Sequence, residues 1–506
     1  MTYDDRRLSA LPWIASAATL VFHLIANPHY GFFRDELYFI MCGFRPDWGY
    51  VDQPPLVPLL SALTQLGGHS LFLLRAVPAL FAASAVFVAV ALTAELGGGA
   101  YARILTAIVV ALSPVLASFG GKVGTDEALP FLWTLTAYAL LRVVRGADAR
   151  WSFVAGAALG IGLEMKYSTL FFAVAAVVAL LVLPERRVLA TRWLFGAFAL
   201  CAAIALPNAL WQAAHGLPML ELLRNAQHGK NVVVSPPAFL GQQLLITGLF
   251  LWPVWVAGLV FLARDRSARF LALAWVLLIG AMVALHGKHY YPAAVYPIPF
   301  AAGCTALEQW TARVGVVRPF LAAALVAGGL VFVPFVLPVL SEQRYLAYER
   351  AVLGALHFQR SATATENHAA SVLPSDFADM HGWPELAATV ERVVDGLRPG
   401  ERERAVVVTS NYGEAASLEF FGRGLPPVVS GHNQYFLWGP RGRSGDILID
   451  VNGDCGAAQH LFADAERAAT AGTPYAISYE RNIPIMVCRG LRVPLPALWP
   501  QLKAYI

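Results

Sequence analysis

The 506 residues are 57% hydrophobic and only 14% charged, with a mean hydropathy of +0.56, whereas soluble domains run to about 25% charged residues. That composition excludes a soluble globular protein. A net charge of +4, with Lys and Arg placed mainly in short loops between apolar runs, sets topology and excludes an extended nucleic-acid surface.

The first apolar run follows MTYDDRR. Ala15-Ser16-Ala17 fits a small-residue cleavage pattern but falls inside the run, so an uncleaved first span is expected. Runs of spanning length then recur near 8–27, 69–95, 100–119, 127–145, 151–164, 168–184, 189–214, 237–262, 267–285, 290–309 and 317–340. They predict a polytopic α-helical membrane protein of about eleven transmembrane helices.

Loop charge assigns the sides. Arg6 and Arg7, then Arg103, Arg142 with Arg145 and Arg150, Arg186 with Arg187 and Arg192, Arg264 with Arg266 and Arg269, and Arg313 with Arg318 occupy every second loop. Those loops are expected inside and 31–68, 120–126, 165–169, 215–237 and 286–291 outside. An odd span count places the C-terminal third outside too. Asp35, Asp52, Asp126, Lys166 and Lys288 thereby fall on one side, and ionisable groups gathered at span ends around a shared cavity mark a functional site.

From about Ser341 no run of spanning length remains. An amphipathic pattern over 383–397, strand-like runs at 405–410, 446–451, 475–478 and 483–488, and helical patterns from 411 to 421 and over 457–471 predict a C-terminal external α/β domain, 341–506. No solenoid or propeller period is visible. Cys201 and Cys304 lie in apolar spans and read as packing residues. Cys455 and Cys488 would be free to pair in an oxidising compartment, which their spacing alone does not establish.

The most informative stretch is 33–56, FRDELYFIMCGFRPDWGYVDQPPL. It lies between two apolar runs yet holds Arg34, Asp35, Glu36, Arg45, Asp47 and Asp52, so it is neither a span nor an ordinary connector. The acidic pair Asp35-Glu36, the Trp48-Gly49-Tyr50 turn and Asp52 before Pro54-Pro55-Leu56 resemble the first external loop of the C-type (GT-C) membrane glycosyltransferases. The group is that of the dolichyl-phosphate-mannose-protein mannosyltransferases and aminoarabinose transferases. Further likeness lies in GKVGTDEALPFLW around Asp126, GLEMKYS around Lys166, LHGKHYYPAAVYP around Lys288, and Arg75 in LLRAVPAL.

The resemblance implies a GT-C fold over 1–340 with an active-site loop at 28–68. It implies an inverting transferase in a bacterial inner membrane, its site and C-terminal third facing the periplasm or exterior. The partners would be a polyprenyl-phosphate sugar donor, a lipid, glycan or protein acceptor, and membrane lipids. Asp35 would be the catalytic base. Glu36, Asp126, Lys166, Lys288, Tyr290, Tyr291 and Arg75 would bind or support the substrates, the lysines facing the phosphate.

Asp52 matches an acidic residue associated with a metal in aminoarabinose transferases, which makes zinc or magnesium a candidate cofactor. The histidine partner is open among His228, His286 and His289, and Gln53 stands where a Lys is frequent. Plainer readings exist for each residue: Asp35 as a helix cap, Asp126 at a helix N-terminus, the lysines snorkelling to the interface. The loop with His228, Lys230 and Asn231 is either a lid or a solvated connector. Asn411 to Glu414 and Ser430 to Gln434 read first as stabilising turns.

A multi-span transporter or lipid flippase is the alternative. It would place charges near the midplane and show paired halves, neither of which is visible. A non-catalytic subunit would not require two acidic and two basic groups together.

Overall fold

A computed structural model describes residues 3–185, 191–229, 232, 234–358, 369–455 and 460–506, with backbone only for 3–9 and 228–229. Arg186, Arg187, Lys230 and Asn231 fall outside the described residues, as does the His228 side chain.

Each apolar run contains helix among the described residues, but the eleven expected spans are not reached by length. Among the described residues, Leu71–Glu95, Arg192–Ala214 and Val317–Val336 are long and apolar enough to cross a membrane. Two further runs are bent pairs, Ala100–Leu112 with Pro114–Gly121 at 62° and Pro236–Thr247 with Trp252–Arg264 at 109°, which raises the number to five if each counts once. The run at 237–262, read as one continuous span, is therefore corrected to a sharply bent pair. Its cause is local: Gly248 adopts φ 113°, open only to glycine at low cost, and Pro253 lacks the N–H that would continue the ladder. The other runs form shorter apolar helices, such as Leu129–Val144 and Trp151–Met165.

The expected sorting of charge is visible in the contacts. Arg145 meets Asp265 at 2.8 Å, Arg142 meets Glu95 at 3.7 Å and Arg269 meets Glu185 at 2.9 Å, joining the arginine-rich loops to one another. The remaining connections meet at the other end of the helices. There Lys122 pairs with Asp376 at 2.7 Å and the Val123 N–H reaches Glu36 at 3.0 Å.

The stretch 33–56 folds as a helix, Arg34–Gly43, a turn, and a second helix, Leu56–Leu63. It is not a surface loop. Leu37, Ile40 and Cys42 are fully buried in an apolar cluster that continues into Ala415 and Leu418 of the C-terminal helix Tyr412–Phe421. At about 1.5–3 kcal/mol for each large apolar side chain removed from water, that shared core binds the C-terminal part firmly onto Arg34–Gly43.

The C-terminal third carries a five-stranded mixed sheet of order β2-β1-β3-β5-β4. β1 (Ala405–Thr409), β2 (Val428–Ser430) and β3 (Ile447–Val451) are parallel. β5 (Ile483–Arg489) runs antiparallel to β3 and to the edge strand β4 (Asp464–Ala471). The predicted strands at 405–410, 446–451 and 483–488 are borne out.

Two expectations are corrected. The helix expected over 457–471 is strand β4 from Asp464: its Ala and Glu residues favour helix locally, but pairing with β5 overrides that weak preference. Tyr475 to Ser478, expected as a strand, is turn and 3-10 structure. A disulfide joins Cys455 to Cys488, tying the segment after β3 to β5.

Candidate functional site

Glu36 and Arg75 form the foundation. Both side chains are wholly buried, and Arg75 donates through Nε and Nη2 to the two Glu36 oxygens at 3.0 Å each. The remaining Arg75 donors reach the carbonyls of Asn27, His29 and Gly31, while Glu36 also accepts from the N–H groups of Phe33 and Val123. A bidentate ion pair with every other donor met by backbone pins three segments together. Neither residue has an atom to offer a ligand, so Glu36, expected among the substrate-binding residues, is corrected to a structural role. Arg75 supports the site from beneath.

One residue earlier, Asp35 is a third exposed, with Oδ1 accepting from the Tyr412 hydroxyl at 2.8 Å and lying 3.6 Å from Arg34 Nε. Asp52 accepts from the Tyr38 hydroxyl at 2.9 Å and from Asn433 Nδ2 at 3.0 Å. Tyr38 and Tyr412 stack at 4.3 Å, so the two carboxylates flank a pair of parallel rings.

Burial pushes the Asp52 carboxyl up from 3.8 to about 6, against the hydrogen bonds from Tyr38 and Asn433 that favour its ionised form. A folded chain that holds this proton more tightly than the unfolded one has stability fully present below pH 4. Through that interval up to about 6 it is progressively lost, on the order of 3 kcal/mol in all. Melting temperatures from pH 4 to 8 should therefore fall for wild type relative to Asp52→Asn. Parallel curves would show that Asp52 is not the group responsible.

Asp126 and Lys166 lie across the site. Lys166 Nζ is 2.5 Å from Asp126 Oδ2, 4.8 Å from the Tyr291 ring centre and 5.5 Å from that of Tyr290. The sequence separation closes because the turns before Leu129–Val144 and after Trp151–Met165 meet at one end of packed helices. Asp126 Oδ1 is buried without a hydrogen-bond partner among the described residues. Lys288, half-buried, starts the turn that carries the two tyrosines, its carbonyl accepting from the Tyr291 N–H at 3.1 Å.

Further residues hold the Trp48-Gly49-Tyr50 turn. Asn208 donates to the Trp48 carbonyl at 3.0 Å, and Gln212 donates to the Tyr50 carbonyl at 2.9 Å and the Tyr167 hydroxyl at 3.1 Å. Gly49 is required here, since a Cβ would lie 2.6 Å from Asn208 Nδ2. An amide four residues from another on one face of Arg192–Ala214 was the available signal for this pair.

The candidate metal does not fit at Asp52. Both of its oxygens already accept hydrogen bonds from neutral donors, and among the described residues no three His, Cys, Asp or Glu side chains converge. His289 is buried with its carbonyl, not its ring, engaged by Gln243, and His286 is exposed. Among the described residues no ligand set for zinc or magnesium gathers at Asp52, and the side chain of His228 lies outside them.

Residues 52–211 match the family model for dolichyl-phosphate-mannose-protein mannosyltransferase. A curated relative, the lipid A galacturonosyltransferase RgtD of Rhizobium johnstonii, is 26% identical over 294 residues, which cover 55% of this chain and 60% of the relative. The chain thus spans less than two thirds of that relative's length. Among solved structures, apo ArnT from Cupriavidus metallidurans superposes with a TM-score of 0.62 at 15% identity, covering 94% of this chain and 98% of that one. The chain has the GT-C glycosyltransferase fold.

Another GT-C structure, ArnT bound to undecaprenyl phosphate, matches with a TM-score of 0.59 at 14% identity, covering 93% and 97% of the two chains. The oligosaccharyltransferase of Archaeoglobus fulgidus matches at 0.51 and 14% identity, covering 83% of this chain and 64% of that one. The GT-C fold expected from the first loop is therefore the fold found. In this GT-C chain the sequence-predicted Asp35, Asp52, Asp126, Lys166, Tyr290 and Tyr291 do gather at one end, whereas Tyr38, Tyr412 and Asn433 were not anticipated as their neighbours.

Proposed function

We propose that the chain transfers a single sugar from a polyprenyl-phosphate donor to an acceptor hydroxyl, with inversion, on the outer face of a bacterial inner membrane. The membrane part, 1–340, holds the reacting groups and the outer part, 341–506, covers them. Support from the comparisons is of two kinds: one structural neighbour was solved with undecaprenyl phosphate, and the curated relative is named for a sugar added to lipid A. A glycolipid heads the acceptor classes, before glycans and protein hydroxyls.

The observation that carries the reading is the convergence of Lys166, Asp126, Tyr290 and Tyr291, with Asp126 Oδ1 buried and lacking a hydrogen-bond partner among the described residues, at the same end as Asp35. Asp126 binds a donor-sugar hydroxyl through that oxygen. Asp35 takes the acceptor proton as the acceptor oxygen bonds to the anomeric carbon. The bond from that carbon to the phosphate oxygen breaks, its electron pair leaves with the lipid phosphate, and Lys166 and Lys288 offset the charge that develops there. The aromatic rings beside Lys166 limit water access and strengthen that interaction.

Mass spectrometry of lipids and glycans from cells lacking the chain, beside cells expressing wild type or Asp35→Asn, tests this. One glycoconjugate should lose a single sugar, restored by wild type and not by Asp35→Asn. Matching profiles, with a solute or lipid accumulating on one side of the membrane, would replace the transferase with a transporter.

A further inference from the structure

The outer sheet delivers two side chains to the two carboxylates by the same route. Tyr412 lies three residues past the end of β1 and Asn433 three past the end of its parallel neighbour β2. Open α/β sheets carry their functional groups at the carboxyl ends of parallel strands. Here those ends face the helix Arg34–Gly43, and we infer that Tyr412 is a positioning residue for Asp35. Its hydroxyl donates to one carboxylate oxygen and turns the other toward the acceptor. This rests on Asp35 being the base.

Tyr412 is built to hold its place. Asn411 caps its helix, accepting from the N–H groups of Gly413 and Glu414 at 2.9 and 3.0 Å, and Glu414 reaches back to the Ser410 N–H at 2.9 Å. Asn411 Nδ2 donates in turn to buried Glu480 at 2.8 Å. The Tyr412 N–H points to His432 Nδ1 at 3.3 Å, and its ring is fixed by the Tyr38 stack. A Cβ at Gly413 would overlap the Arg34 side chain, so Arg34 packs directly on the backbone of the outer helix.

Asn433 serves Asp52 from a backbone at φ 46°, ψ −126°, a conformation a non-glycine residue keeps only where its surroundings enforce it. Its Oδ1 accepts the Ile506 N–H at 3.1 Å, which leaves Nδ2 for Asp52. Neither contact is needed to close the sheet or the helix bundle. Both lead to a carboxylate at the site.

The groups facing Asp35 are Arg34 from its own helix, Tyr412 from the outer helix and Asp52 from the following turn, with Asp379 and Tyr479 acting through Arg34. Removing the Tyr412 hydroxyl takes away the donor that fixes the Asp35 carboxylate, so the base should meet the acceptor less often in a productive orientation. Rates would be measured for the full chain in lipid nanodiscs. Total lipid extract of cells lacking the chain supplies donor and acceptor, with product read by mass spectrometry.

Tyr412→Phe, which keeps the ring stack, should remain folded and reach half-saturation at the same amount of extract, with its maximal rate lowered about 10- to 100-fold. Deuterium uptake in 33–43, which needs no turnover, should rise severalfold in the same variant. An unchanged maximal rate and unchanged uptake would overturn the Tyr412 role while Asp35→Asn remained inactive. Full activity of Asp35→Asn would overturn the base reading and this inference with it.

Discussion

Glu36→Ala is expected to destabilise the folded chain by about 3–5 kcal/mol, the largest stability effect among the residues of the first loop. The substitution leaves the Arg75 guanidinium buried with three carbonyl partners and no counter-charge, and removes the acceptor of the Phe33 and Val123 N–H groups. Glu36→Gln should fare little better, because the amide nitrogen would face donors on every side. Thermal unfolding of detergent-purified protein gives the measure. A melting temperature within a degree or two of wild type would mean that this pair does not hold the loop against the helices.

Lys166→Met should lower transfer by about 10²- to 10³-fold, the usual cost of removing one fixed charge or donor from a developing anion. Stability should fall as well, since Asp126 is only 13% exposed and loses its counter-charge, so rates are compared at a temperature where both proteins are folded. Turnover of the purified variant decides the matter. A rate within threefold of wild type would reduce Lys166 to an interfacial anchor, the plain reading its position also allowed.

Much of this was legible in the residues. Composition and run length announce helices packed for a membrane, and arginine placement sorts the loops into two ends, because both follow from the local cost of polar groups in lipid. Asp35, Asp126 and Lys166 stood out as charges where charge is expensive.

Glu36 was misjudged for an instructive reason: an acidic pair looks the same whether its members face a cavity or, like Glu36, a buried arginine from 39 residues away. The bend at Gly248 was hidden because hydrophobicity counts do not register backbone conformation. The role of the outer domain was least visible. Tyr412 meets Asp35 across 377 residues, and in its own neighbourhood it is only the first residue of a well-capped helix. Contacts of that kind are settled by tertiary packing, which leaves no periodic trace.

That same separation has a consequence for how the protein is made. The two carboxylates are synthesised early, but Tyr412 emerges 377 residues after Asp35, about 20 to 75 s later at ordinary ribosomal speeds of roughly 5 to 20 residues per second. A nascent chain that ends before the sheet therefore carries Asp35 without Tyr412 and Asp52 without Asn433. On the proposed function, competence should arrive late, when the C-terminal sheet closes on the first loop, and a chain released early by a premature stop codon should be inactive.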